Sequence, residues 1–264
     1  MTAIVRTFTP QGFVLAADGR SFGTIDGAIL NDAAQKIFPT RTLSGAFAFS
    51  IAGAIELVTD DRSQIAVNLA DEARKSAESL ENERIENLTD YAARFCHPIY
   101  RALNEAHKSG RLTNFPSHET RVLGERGQTI TRLLLDGYLG EYPSSVNVRF
   151  FHEDGELREP GIETNRFPTG FHYVLGSPQI VRLLWDSNDP RFSEYRGPKI
   201  YAEDMTLQSA IERSRCYIQA CSDPQSAAID SVCRTIGGHI HIATITPSSG
   251  FQWVIAPLQV DRIS

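Results

Sequence analysis

Apolar positions along the chain follow two rhythms, and the change between them marks out the elements. Residues 3–8 (AIVRTF) and 13–17 (FVLAA) are rich in strand-forming side chains and flank Pro10, Gln11 and Gly12. That pattern predicts a β-hairpin with Gly12 in the turn. Residues 46–53 (AFAFSIAG) are almost continuously apolar, as expected of a strand buried on both faces. A helix is expected from about Ile55 to Ser79. A second is expected through Leu88, Tyr91, Ala92, Phe95, Ile99, Leu103 and Ala106, whose three- and four-residue steps give one apolar face. Pro98 falls inside it and is expected to kink it.

Residues 109–128 are polar with Gly and Pro and read as a loop excursion. Strand patterns return at 131–140, 145–152 and 171–177, the first two joined by a Glu-Tyr-Pro-Ser turn. Helical patterns follow at 179–186 and again from Thr206. The latter runs through Leu207, Ala210, Ile211, Ser214, Ile218 and Cys221, with Thr206 as N-cap but without a full capping box. Residues 239–247 and 251–258 close the chain as a last hairpin.

Helices therefore arrive in pairs, not one after each strand. This order argues against a doubly wound parallel sheet or an alternating barrel. It fits an α+β fold: a four-layer αββα sandwich of two stacked antiparallel sheets between helix pairs. No repeat, linker or change of composition divides the chain, so a single domain over 1–264 is expected.

Composition narrows the function classes. The chain has 264 residues, 41% hydrophobic and 22% charged, enough for a large core without disulfide staples. A net charge of −6 with no basic run argues against nucleic-acid binding. No window approaches 18 consecutive apolar residues, and the start lacks a signal-peptide pattern, so a cytoplasmic protein is expected with no membrane partner. Cys96, Cys216, Cys221 and Cys233 form no CxxC pair, and are expected to be reduced core residues. His239 and His241 alternate on a strand and share a face, but with no third ligand they read as structural or exposed, not as a metal site. No metal or other cofactor is expected.

The candidate chemistry lies at the start of the chain. A threonine hydroxyl is a weak nucleophile that needs an adjacent base. If Met1 is removed, Thr2 carries its own base, an α-amino group with an ordinary pKa of about 7.7–8.0. A nearby cation, a carboxylate to hold that cation and a backbone N–H for the oxyanion would complete the site. LAADGR at 15–20 supplies Asp18 and Arg20, NDAAQKIFP at 31–39 supplies Lys36, and SIAG at 50–53 ends on Gly53.

These features, in this order, resemble proteasome β subunits and the bacterial ATP-dependent relative of the same fold, both N-terminal-nucleophile hydrolases. The spacing from Thr2 to Asp18 and Arg20 matches that family, and Lys36 lies about two residues further on than usual. VLGS at 174–177 and the Gly237-Gly238 pair before HIHIATIT extend the resemblance over most of the chain. The resemblance implies that Thr2 attacks with its amine as base, and that Lys36 tunes the charge while Asp18 orients Lys36. It further implies that Gly53 N–H binds the oxyanion and that Ser177 positions the amine and a water. By the same alignment Arg20, Ser21, Ala34, Ile51 and Ile55 contact substrate, and an uncharged pocket would select small or medium apolar side chains.

One departure stands out. Where the family has an Asp and a Ser before the glycine pair, an ungapped reading finds Cys233 and Ile236. Asp230 and Ser231 lie three to five residues early and could substitute if the loop bends. The function expected is a threonine peptidase in a homo-oligomeric ring or stack, acting on polypeptides, with an ATP-dependent unfoldase as a possible partner. The alternatives are an amidohydrolase of small amides and a catalytically silent assembly protein.

Overall fold

The computed structural model describes residues 2–22, 29–61, 63–115, 127–165, 172–187, 189–197 and 200–258. The chain forms two compact units, one of Met1–Ile37 with Phe167–Ser264, the other of Phe38–Arg166. Each is an antiparallel sheet with its own helices, so the mixed α/β class with antiparallel sheets, expected from the element order, is borne out.

In the first unit, β1 (Ile4–Thr9) and β2 (Gly12–Ala17) form the expected hairpin. A small ribbon, β3 (Ser21–Phe22) with β4 (Ile29–Asn31), follows. Later in the chain come β13 (His172–Leu175), α3 (Pro178–Trp185), α4 (Leu207–Ser222), the short α5 (Ser226–Ile229), β14 (His241–Thr246) and β15 (Gly250–Ile255). The sheet order is β13-β1-β2-β14-β15. Ala3, Val5, Val14, Ala16 and Ile242 pack against Ile180, Leu184, Ala210, Ile211, Tyr217 and Ile218 of the helices. This shared core seats the N-terminal strand mid-sheet. At α4, Thr206 and Ser209 cap each other's backbone N–H, a full capping box. The sequence reading ruled that out because Ser209 stands where Glu or Gln is usual, but a serine hydroxyl also reaches back.

The second unit holds β5 (Ile37–Thr42), β6 (Gly45–Gly53), β7 (Glu56–Val58), β8 (Ile65–Asn68), α1 (Leu69–Ser79), α2 (Leu88–Lys108), β9 (Gln128–Leu139), β10 (Tyr142–Glu153), β11 (Glu156–Leu157) and β12 (Gly161–Asn165). Its main sheet runs β11-β10-β9-β6-β5, with β12 also on β10. Alternate residues of β6 (Phe47, Phe49 and Ile51) meet Tyr91, Phe95 and Ile99 of α2. The Phe49 ring stacks on Phe38 at 4.8 Å and lies 5.3 Å from Phe95.

Two expectations need correction here, and one strand had not been expected. The helix expected from Ile55 starts at Leu69. Before it, β7 and β8 pair as a ribbon, and Asn68 caps the helix by accepting from Asp71 N–H. Residues 56–58 and 65–67 carry Val58, Ile65 and Val67, whose β-branched side chains favour strand. Strand β5 had no prediction because Pro39 interrupts it, and it lies at the sheet's edge, where a missing N–H is tolerated. The β9–β10 turn is at Gly140 and Glu141, with Tyr142 and Pro143 already paired in β10. Gly140 has φ +59°, the left-handed turn geometry that suits glycine. Helix α2 runs continuously through Pro98. Of the excursion at 109–128, residues 116–126 lie outside the described residues.

Two histidines of the first unit are neutral, His241 fully buried and His172 partly so. His172 shares a 2.6 Å hydrogen bond with Thr7 Oγ1, and burial, aided by the Arg213 charge, lowers its pKa to about 3. His241 is 1% exposed, and burial, then the charges of Lys36 and His239, lowers its pKa to about 3. In the unfolded chain both bind protons near an ordinary value of about 6.5. Their stabilisation is thus complete above that value and is lost as pH falls toward 3. Urea unfolding midpoints are expected to be flat above about pH 7 and to fall between roughly pH 6.5 and 5. A midpoint that stays constant across that window contradicts the two neutral histidines.

Candidate active site

Strand β1 and its two neighbours meet where the chain begins. The ladder pairs Ile4 with Ala17 on one side and with Leu175 on the other. Continued by two residues, the register sets Thr2 across from Ser177 and from Gly19. Thr2 itself is buried, at 5% exposure. Met1 lies outside the described residues.

Asp18 sits directly after β2 and is fully buried. Its Oδ1 accepts from the Ala3 N–H at 2.8 Å and from Lys36 Nζ at 2.9 Å. Its Oδ2 accepts from Gly237 N–H at 3.1 Å and Arg20 N–H at 3.3 Å. The Ala3 carbonyl in turn accepts from Asp18 N–H at 3.1 Å. One carboxylate therefore ties the residue after Thr2 to the lysine, to the segment after β2 and to the glycine pair.

Lys36 is also fully buried, and its ammonium donates to the Arg20 carbonyl at 2.7 Å as well as to Asp18. Burial lowers its pKa, Asp18 opposes the shift and the Arg20 charge adds to it. Such an amine is a cation held at a fixed point and yields its proton more readily than a surface lysine. The Arg20 side chain turns to Asp32, with Nε 2.5 Å from Oδ1. Gly238, at φ +74°, has Asp32 O 2.3 Å from where a Cβ would stand, so only glycine lets these two segments touch.

Ser177 caps α3: its Oγ accepts from Ile180 N–H at 3.1 Å and donates to Asp230 Oδ2 at 2.6 Å. Its backbone N–H donates to the Tyr217 hydroxyl at 2.8 Å. Gly176 makes this possible, since a Cβ there would stand 2.6 Å from that hydroxyl. Asp230 also caps the 3-10 turn Ser231–Thr235 through Val232 N–H. The loop thus brings Asp230 to Ser177, while Ser231 is exposed and Cys233 and Ile236 are core residues.

The remaining predicted residues are spread more widely. Ser21 and Ala34 are half-buried in the first unit, and Ala34 N–H donates to Gly19 O at 2.7 Å. Gly53, Ile51 and Ile55 belong to the second unit. Gly53 ends β6 with φ +104°. Ile51 is fully buried in the helix-facing core, and Ile55 packs on that core. Sequence reasoning missed His241, whose Nε2 accepts from Lys36 N–H at 3.1 Å. Its alternation with His239 was visible, but nothing in the sequence shows that a neighbouring segment lays its backbone against one ring. Among the described residues no cluster of His, Cys, Asp or Glu suits a metal ion, and no helix is long and apolar enough to cross a membrane.

No protein-family model matches the chain, and no curated protein matches it. The sequence-based assignment to the proteasome β-subunit-like N-terminal-nucleophile hydrolases is corrected accordingly, to a likeness of fold. The motifs behind it are short, and small residues at strand ends and glycines at close approaches are demands of the fold itself. Solved structures that share this fold include Anbu from Hyphomicrobium sp. strain MC1, at 12% identity and TM-score 0.52, over 96% of this chain and 88% of that one. A Gly-1 mutant of that protein gives 14% identity and TM-score 0.53 over 97% and 88%. Anbu from Yersinia bercovieri, described as an ancestral beta-subunit, gives 10% identity and TM-score 0.54 over 96% and 87%. The chain therefore has a proteasome-related fold of the Anbu kind, at identities that speak for the fold alone.

Proposed function

We propose that this chain is a subunit of a proteasome-like assembly built from copies of itself, and that Thr2 is the nucleophile of an amide-hydrolysing site within it. The assembly part is supported by the likeness, across 96% of the chain, to a protein described as an ancestral beta-subunit.

The hydrolytic part rests on one observation: a fully buried Lys36–Asp18 pair bonded to the backbone one residue from Thr2. A buried ion pair contributes little net stability, so its presence one residue from Thr2 calls for another reason. A fixed ammonium favours the ionised hydroxyl of Thr2 and a neutral α-amine, the two states that nucleophilic attack requires. Ser177, already held by Asp230, is the group expected to orient that amine. Peptides are the expected substrates, and small amides are the alternative.

A second reading, a silent assembly protein, is favoured by Cys233 and Ile236. Both are buried in the core and offer the amine no carboxylate or hydroxyl. The two readings differ in what a hydrolysis assay of protein lacking Met1 shows. We expect the intact mass of protein from its own host to lack Met1, and a native mass of several chains. Thr2→Ala is expected to keep that native mass and the melting temperature, while lowering cleavage of short fluorogenic peptides and amides more than about a hundredfold. Residual cleavage within about tenfold of wild type removes Thr2 as nucleophile. No cleavage by Met1-free wild type leaves the silent reading, and a monomeric native mass removes the assembly reading.

A further inference from the structure

We propose that His241 is a positioning residue for Lys36, acting by accepting the Lys36 backbone N–H in its buried ring nitrogen Nε2. The proposal rests on the hydrolytic reading of Thr2, and extends it to a residue in a strand that the expected chemistry does not use.

The segment that delivers Lys36 is irregular. Between β4 and β5, residues 32–36 have no strand partner. Three hydrogen bonds of its backbone hold this stretch against the end of β2 and the start of β14. Ala34 N–H donates to Gly19 O at 2.7 Å, His239 N–H donates to Asp32 O at 2.6 Å, and Lys36 N–H donates to His241 Nε2 at 3.1 Å. The third lies at the lysine itself. A lysine side chain is long and flexible, so its ammonium is fixed only if both ends are. Asp18 and the Arg20 carbonyl hold Nζ, and His241 holds the backbone end.

His241 is itself well anchored. It opens β14, pairs with Ala17 just before Asp18, and sits edge-on to Trp253 at 6.2 Å between ring centroids. The strand that places Asp18 and the ring that places Lys36 are therefore adjacent rungs of one sheet. Because Nε2 accepts, the proton of the neutral ring is on Nδ1. The ring's well-formed bond is the one to Lys36. A carboxylate in this place would compete with Asp18 for the ammonium, whereas a neutral imidazole supplies an acceptor without a charge. A buried N–H must have an acceptor, so losing this one lets the segment shift and moves Nζ relative to Thr2.

The test compares wild type with His241→Gln and His241→Asn. The Gln side-chain amide can reach the Nε2 position, whereas that of Asn reaches only the Nδ1 position. Two readouts are taken: hydrogen exchange of the peptide containing the Lys36 amide, and kcat and KM on a fluorogenic peptide. The Asn variant is expected to exchange at Lys36 at least about tenfold faster. Its kcat is expected to fall on the order of tenfold or more, with KM within about threefold of wild type. His241→Gln is expected to restore both. An Asn variant that keeps the amide protected, or that loses protection yet keeps the wild-type kcat, overturns the proposal. So does a Gln variant that restores neither readout. Lys36→Ala runs alongside. If wild type and Lys36→Ala are equally inactive, the hydrolytic reading fails, while the exchange arm still decides whether His241 holds Lys36.

Discussion

Asp18 accepts hydrogen bonds from four donors at once: Ala3 N–H, Arg20 N–H, Gly237 N–H and the Lys36 ammonium. Three of these are backbone groups from three separate stretches of chain, and the fourth is a cation with no exposure to solvent. A carboxylate offers about four lone-pair positions, so this one is saturated. Without it, the buried Ala3 and Gly237 N–H groups would be unpaired, the Arg20 N–H would lose its acceptor, and the buried Lys36 ammonium would keep the Arg20 carbonyl but lose its carboxylate, which is costly. The local arrangement depends on this one side chain, and the distance from Thr2 to a fixed positive charge is set through it.

The rest of the first unit can be read as support for that hub. The sheet order puts β1 between β2 and β13, so the residues beyond Ile4 are flanked by Asp18 on one side and Ser177 on the other. Ser177 is fixed by its role as helix cap and by Asp230. Tyr217 reaches from α4 to the Ser177 backbone through the gap that Gly176 leaves. Each part has an ordinary structural duty, and together they surround the chain start with polar groups whose positions are fixed. Under the proposed hydrolytic reading, that is the preorganisation the site would need.

Much of this was legible before the structure. Helices α2 and α4 carried strong periodicity because each buries a defined face, the hairpin at 3–17 showed as two strand-forming runs about a glycine turn, and the strand at 46–53 showed as a continuous apolar run because both its faces are buried. The failures have local causes. The ribbon β7–β8 is too short to show a period of two, and its Leu and Val positions can also be read on a helical wheel. Asp230 was a residue whose arrival at Ser177 depended on a bend that no pattern encodes. His241 was visible as one of a pair, but its role comes from a backbone laid against it from 205 residues earlier in the chain. The family assignment went further than short motifs allow: those motifs specify strand ends and close approaches, and chains with the same fold at 10–14% identity share such demands.

A double-mutant cycle on the buried pair tests most directly the claim that the Asp18 hub is held together by charge. Asp18→Asn alone leaves a buried ammonium without its carboxylate and should cost about 3–5 kcal/mol. Lys36→Met alone leaves Asp18 with three N–H donors and should cost less. Combined, the two changes should recover much of the Asp18→Asn loss, giving a coupling above about 1.5 kcal/mol, while peptide hydrolysis stays absent. Losses that simply add to within about 0.5 kcal/mol would contradict a hub in which Asp18 and Lys36 depend on each other.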